Sequence, residues 1–246
     1  QLHISLDAAN TLLSKTGFSI SDCQTKIDEK KKPLSMNLTT KAQIEVSAIY
    51  EQNARTMNVI AMIEGSDLKL KDEYVIVGAH LDHVGSQAGL LFPGANDNAS
   101  GSAAVLEIAK AFTNGGLQPK RSIVFVLFAS EEQGLNGAKH FVESWKKGYD
   151  KIAAMINMDC IGYGDSIQVG NGLSAPNLWE VANQIDETSF NSMVERTWKG
   201  GGADATPFHE KGIPCLYFVT TNSYDHLHLP SDKVETLNQV LYEKVV

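Results

Sequence analysis

The nonapeptide "PGANDNASG" (93–101) holds a single carboxylate, Asp97, between two asparagines, and runs into the helical spacing of "SAAVLEIAKAF". A lone aspartate there is ordinarily a helix cap. This one has company. His80 and Asp82 follow the apolar run "EYVIVGA", Glu131 and Glu132 follow "RSIVFVLFAS", and Asp159 follows "IAAMINM". After "IPCLYFVTT", the stretch "YDHLHLPSD" carries His226, His228 and Asp232.

Each residue alone has an ordinary structural role. Asp97 or Asn98 caps a helix, Glu131 and Glu132 are acids favoured in a first helical turn, and Asp159 accepts backbone hydrogen bonds. Together they repel one another and call for a compensating positive charge. Only three arginines are present, Arg55, Arg121 and Arg196. A metal centre supplies what arginine does not. Mixed imidazole and carboxylate donors suit zinc, with manganese or cobalt chemically possible. Five donor side chains exceed what one catalytic zinc with an open position takes, and suit two ions sharing a carboxylate and a water. Asp97, with two oxygens, is the natural bridge.

To gather these residues, several strands must end at one edge. In α/β sheets ligands bind beyond the carboxyl ends of the strands. Continuous apolar runs at 73–80, 121–130, 152–159 and 213–221 predict buried strands, and helical spacing covers 99–113, the stretch to about Trp145, and 175–189. The alternation predicts an α/β domain, three-layer α/β/α with a mixed, mostly parallel central sheet. Towards the N-terminus, "SLDAANTLLSKTG" (5–17) predicts a short helix capped by Ser5 and closed by Gly17, and 18–37 is polar and weakly patterned. The alternation from residue 42 and "MNVIAMIEG" (57–65) predict an antiparallel pair.

Bulk properties narrow the partners. The 246 residues are 43% hydrophobic and 20% charged, with a formal charge of −8 and no basic run longer than "KKK" at 30–32. Nucleic acid and anionic membranes are therefore poor partners, and no apolar stretch predicts a transmembrane segment. Cys23, Cys160 and Cys215 form no CxxC pair, and the latter two read as buried free thiols. Opening on Gln1 and closing on "VLYEKVV" in mid-helix, the sequence reads as trimmed.

The set "HLD" (80–82), "GANDNASG" (94–101), "EEQG" (131–134), "NMD" (157–159) and "HLPSD" (228–232) resembles the M28 family of zinc exopeptidases, in order and approximate spacing, over roughly 38–246. The resemblance implies a zinc-exopeptidase fold, with a catalytic domain expected over 38–246 and truncated at its C-terminus. Residues 1–37 are then the tail of an inserted protease-associated domain or an ordinary extension. It implies two zinc ions, one on His80, Asp97 and Asp159 and the other on Asp97, Glu132 and His228, with Glu131 as general base. Asp82 is expected to orient His80, and Asp232 to serve His228 in the same way. A cis peptide is expected between Asp97 and Asn98.

The pattern also departs from the family. "ADA" (203–205) replaces a common "SDH", keeping Asp204 and losing the histidine, and no tyrosine precedes it to help an oxyanion. Tyr163, Tyr217 and Tyr224 are the candidates to replace one, and Asp204 and Tyr224 the candidates to bind substrate. The implied activity is an aminopeptidase acting on peptides outside the cytoplasm, periplasmic or secreted; the sequence gives no oligomeric state. Alternatives are a carboxypeptidase, which needs cations such as Lys199 for a terminal carboxylate, a single-zinc glutaminyl cyclase, and a metal-free binding module.

Overall fold

The computed structural model describes residues 4–47, 49–51, 53–87 and 89–246, and the chain divides into two compact units, Gln1–Ala54 and Arg55–Val246. In the first unit, α1 (Leu6–Leu13) begins at Ser5, whose hydroxyl accepts the Ala8 N–H at 3.1 Å as the sequence predicts. Gly17 stands beyond its end, in a left-handed turn at φ 75°. A second helix, α2 (Ile20–Lys30), occupies the polar, weakly patterned stretch. It starts from a capping box: Ser19 Oγ accepts the Asp22 N–H at 3.1 Å, and the Asp22 carboxylate accepts the Ser19 N–H at 2.8 Å.

The predicted antiparallel pair does not form. Residues 42–47 and 49–51 make no strand, and Ile44, Val46 and Ile49 are exposed; Ala48 and Gln52 lie outside the described residues. Alternation gives a strand its two faces but not its partner.

The second unit runs β1 (Val59–Ile63), β2 (Tyr74–His80), a short hairpin of β3 (Ser86–Gln87) and β4 (Leu90–Leu91), α3 (Gly101–Asn114), β5 (Ser122–Phe128), α4 (Asn136–Ser144), β6 (Ile152–Met158), β7 (Ile167–Gly170), α5 (Pro176–Ser189), α6 (Ala205–His209), β8 (Cys215–Thr220) and α7 (Gln239–Val245). The main sheet has the order β1-β5-β2-β6-β8-β7. Its four central strands are parallel, and β1 and β7 close the two edges antiparallel. β1 therefore finds its partner in β5, Val59 opposite Leu127, rather than in the preceding segment.

The predicted three layers follow from the period of two along each strand. On one face Val124, Val126 and Phe128 of β5 pack with Phe141 and Val142 of α4 and Phe208 of α6. On the other, Ile123, Phe125 and Leu127 pack with Ala104 and Val105 of α3, against which Tyr242 of α7 leans. Both faces are covered, so the central strands are apolar throughout. Among the described residues, no helix is long and apolar enough to cross a membrane. Cys160 and Cys215 are buried free thiols, as expected.

Candidate metal centre

The parallel strands β2, β5, β6 and β8 deliver their carboxyl ends to one edge. His80 is the last residue of β2, Asp159 follows β6 directly, Glu131 and Glu132 lie three and four residues beyond β5, and His228 comes from the loop after β8. The Asp97 loop lies between β2 and α3.

The two asparagines flanking Asp97 explain how it is held. Asn98 Oδ1 accepts the Gly101 N–H, the first of α3, at 2.9 Å, while its Nδ2 donates to the Met158 carbonyl at 3.0 Å. Asn96 donates to the Ser223 carbonyl and accepts the N–H groups of Gly162 and Tyr163. The Asp97–Asn98 peptide is cis, as expected. With both asparagines spent on backbone, the Asp97 carboxylate is left to face the cleft.

Its two oxygens meet different partners. Oδ1 lies 3.1 Å from His80 Nε2, which is also 3.6 Å from Asp159 Oδ1. Oδ2 lies 3.1 Å from His228 Nε2, which is also 3.1 Å from Glu132 Oε2. Two donor groups result, His80–Asp97–Asp159 and His83–Asp97–Glu132–His228, each with its donor atoms within 4.8 Å of one another. All five residues that the resemblance names as ligands are thus brought together. His83 is an addition that the sequence reading missed, although its position in "HLDH", three residues after His80, was the available signal.

Asp82 does stand beside His80, but mainly through its backbone, and Asp232 departs from expectation. The group beside His80 Nδ1 is the Asp82 backbone carbonyl, at 3.0 Å; the carboxylate instead accepts the N–H groups of Glu131 at 3.0 Å and Glu132 at 3.3 Å. Asp232 accepts the N–H groups of Asn96 at 2.8 Å and Asp97 at 3.0 Å, so it braces the Asp97 loop and not His228. Both carboxylates hold backbone because strand-end loops have amides that no sheet neighbour satisfies.

His80, Asp97, Glu131, Glu132, Asp159 and His228 line a cleft of about 370 Å³ together with Tyr217, Tyr224 and Leu227. The hydroxyls of Tyr217 and Tyr224 are 3.5 Å apart. Asp204 does not line the cleft: it is fully buried, neither oxygen has a hydrogen-bond partner, and burial pushes its carboxyl well above the usual range. Tyr163 points elsewhere, its hydroxyl on Asp225.

The electrostatics ask for positive charge. Burial disfavours the charged form of His80, yet Asp159 and Asp97 beside it push the imidazole up to about 12. Burial, reinforced by Asp159, Glu132 and Asp97, pushes Glu131 up to about 7 against the pull of His80. Among the described residues every ion-pair partner of Asp97, Asp159 and Glu132 is a histidine, and no Lys or Arg lines the cleft. Donors at zinc–ligand distances in a tetrahedron stand about 3.3 Å apart, close to the 3.1 and 3.6 Å separations around His80 and His228. The donor set fits divalent cations of the zinc type.

The model of peptidase family M28 matches residues 58–246. The chain belongs to that family. Among the relatives of this M28 chain, a probable zinc metalloprotease of Pyrenophora teres f. teres (strain 0-1) is 41% identical over 185 residues, covering 73% of the chain and 37% of the relative. The crystal structure of BSAP, a zinc aminopeptidase from Bacillus subtilis, superposes with a TM-score of 0.65 at 27% identity, covering 76% of this chain and 47% of that one. An Acidobacteriales bacterium glutaminyl cyclase superposes with a TM-score of 0.64 at 20% identity, covering 76% and 69%, a likeness of fold alone. The chain spans about half or less of the length of the first curated relatives it matches.

Proposed function

We propose that the chain is the catalytic part of a zinc-dependent aminopeptidase, with two ions sharing Asp97 and Glu131 acting as general base. The observation that carries this is the division of the Asp97 carboxylate, one oxygen toward His80 and the other toward His228. His80, Asp97 and Asp159 would hold one ion, and Asp97, Glu132 and His228 the other. Bound there, zinc supplies Lewis acidity toward a scissile carbonyl and lowers the proton affinity of a water.

The chain's own groups supply the rest. Glu131, fixed at its backbone by Asp82, faces the cleft with its carboxyl raised toward about 7. Its place beside both donor groups suits a group that takes a proton during attack and returns it to the leaving amine. The cleft presents carboxylates and no Lys or Arg among its lining, which favours the ammonium end of a peptide over its carboxylate end. Tyr224, about half exposed and part of the cleft lining, would contact the substrate.

Hydrolysis of matched peptides with free, acetylated and Gln-bearing N-termini tests the assignment in zinc-loaded protein. Cleavage of the free-amine peptides is expected. Cleavage confined to blocked peptides would overturn the aminopeptidase reading, and ammonia release from Gln-initiated peptides without hydrolysis would point to the cyclase.

A further inference from the structure

We propose that His83 is a ligand of the metal position formed by Asp97, Glu132 and His228, making it a four-residue site beside the three-residue site of His80, Asp97 and Asp159. This rests on the two-metal function proposed above.

The His83 side chain is only 9% exposed, and neither ring nitrogen has a hydrogen-bond partner. Burying an imidazole with both nitrogens unpaired is costly unless a ligand satisfies one of them. Nδ1 lies 2.8 Å from Glu132 Oε1 and 3.7 Å from Asp97 Oδ2. The 2.8 Å contact lacks the alignment of a hydrogen bond, leaving Glu132 Oε1 unpaired as well. These partnerless groups stand in one cluster with Asp97 and His228, in which each residue offers a ligand atom within 4.8 Å of the others. The His228 ring stands edge-on to His83, with centroids 5.5 Å apart, so the two imidazoles flank the same carboxylates.

The Asp97 loop is shaped around this ring. A Cβ at Gly94 would come within 2.6 Å of His83 Cγ, so glycine there leaves the space that the imidazole occupies. A ring needed only to fill the wall of the cleft would not require its nitrogens among four metal-type donors. The alternative duty, donating a hydrogen bond that positions Glu132 across the 2.8 Å contact, predicts a different outcome for His83→Gln.

The experiment compares the parent protein with His83→Gln and His83→Ala, measuring zinc per chain, zinc affinity by chelator competition, and the number of imidazoles on zinc by X-ray absorption. The parent is expected to bind two ions carrying three imidazoles between them. Both variants are expected to lose more than about 100-fold in affinity at one position, beyond the 10–100-fold typical of an outer hydrogen-bond partner, and to show two imidazoles. A smaller loss, an unchanged imidazole count, or rescue by Gln but not Ala would overturn ligation by His83 while leaving the two-metal function standing. A parent that holds fewer than two ions would overturn that function, and this inference with it.

Discussion

The carboxylate of Asp82 accepts the backbone N–H of Glu131 at 3.0 Å, joining the turn after β2 to the turn after β5. Its other oxygen takes the Glu132 N–H at 3.3 Å, and its carbonyl meets His80 Nδ1 at 3.0 Å. One residue therefore sets the orientation of a proposed base and of one donor in each group. Asp82→Ala is expected to lower kcat/KM by about 10–100-fold, the usual cost of removing such support. Zinc content measured alongside separates loss of the ions from misplacement of Glu131.

Glu131→Gln keeps the shape of the side chain and removes its basicity. Turnover is expected to fall by about 10²–10⁴-fold with zinc per chain unchanged, since Glu131 belongs to neither donor group. Full activity in this variant would remove Glu131 from the role of base.

The raised Glu131 carboxyl also predicts a pH dependence of stability in chelator-stripped protein. Its folded-state value near 7 lies above the ordinary 4.5, so the native state holds the proton more tightly than the unfolded chain. The resulting stability is complete below about pH 4.5 and is lost as the pH rises through 7. Stripped Glu131→Gln should therefore match the parent near pH 4 and exceed it by about 1–3 kcal/mol at pH 8. Denaturant midpoints at the two pH values measure the difference; equal offsets at both would contradict it.

Asp232 is buried and accepts two buried N–H groups, those of Asn96 and Asp97. Asp232→Ala leaves both unpaired and is expected to cost about 2–6 kcal/mol, at about 1–3 for each buried group left unsatisfied. Asp232→Asn keeps one acceptor oxygen and should cost less. Urea unfolding of metal-free protein isolates this loop-bracing role from any effect on metal affinity.

Much of this arrangement is legible in the sequence because apolar runs buried on both faces announce their strands, and acids or imidazoles mark where those strands stop. The five donors around Asp97 follow from that rule together with the family pattern. What stays hidden depends on pairings distant in sequence. β1 pairs with β5 more than sixty residues away, Val59 with Leu127, so alternation at 42–51 suggested a neighbour that the fold does not use. The α2 helix carries few apolar residues, and its sign was the Ser19–Asp22 box rather than a period. Asp82 and Asp232 were read as partners of histidines, because a sequence shows a carboxylate without showing which backbone amides lack a partner. His83 stays hidden because a histidine beside a loop carries no mark of its direction.

The sharing of Asp97 between two ions is tested most directly by anomalous diffraction at the zinc edge from crystals of zinc-loaded protein. Two peaks are predicted, one beside Asp97 Oδ1 and His80 Nε2, the other beside Asp97 Oδ2 and His228 Nε2. A single peak, or none near Asp97, would contradict the dizinc centre.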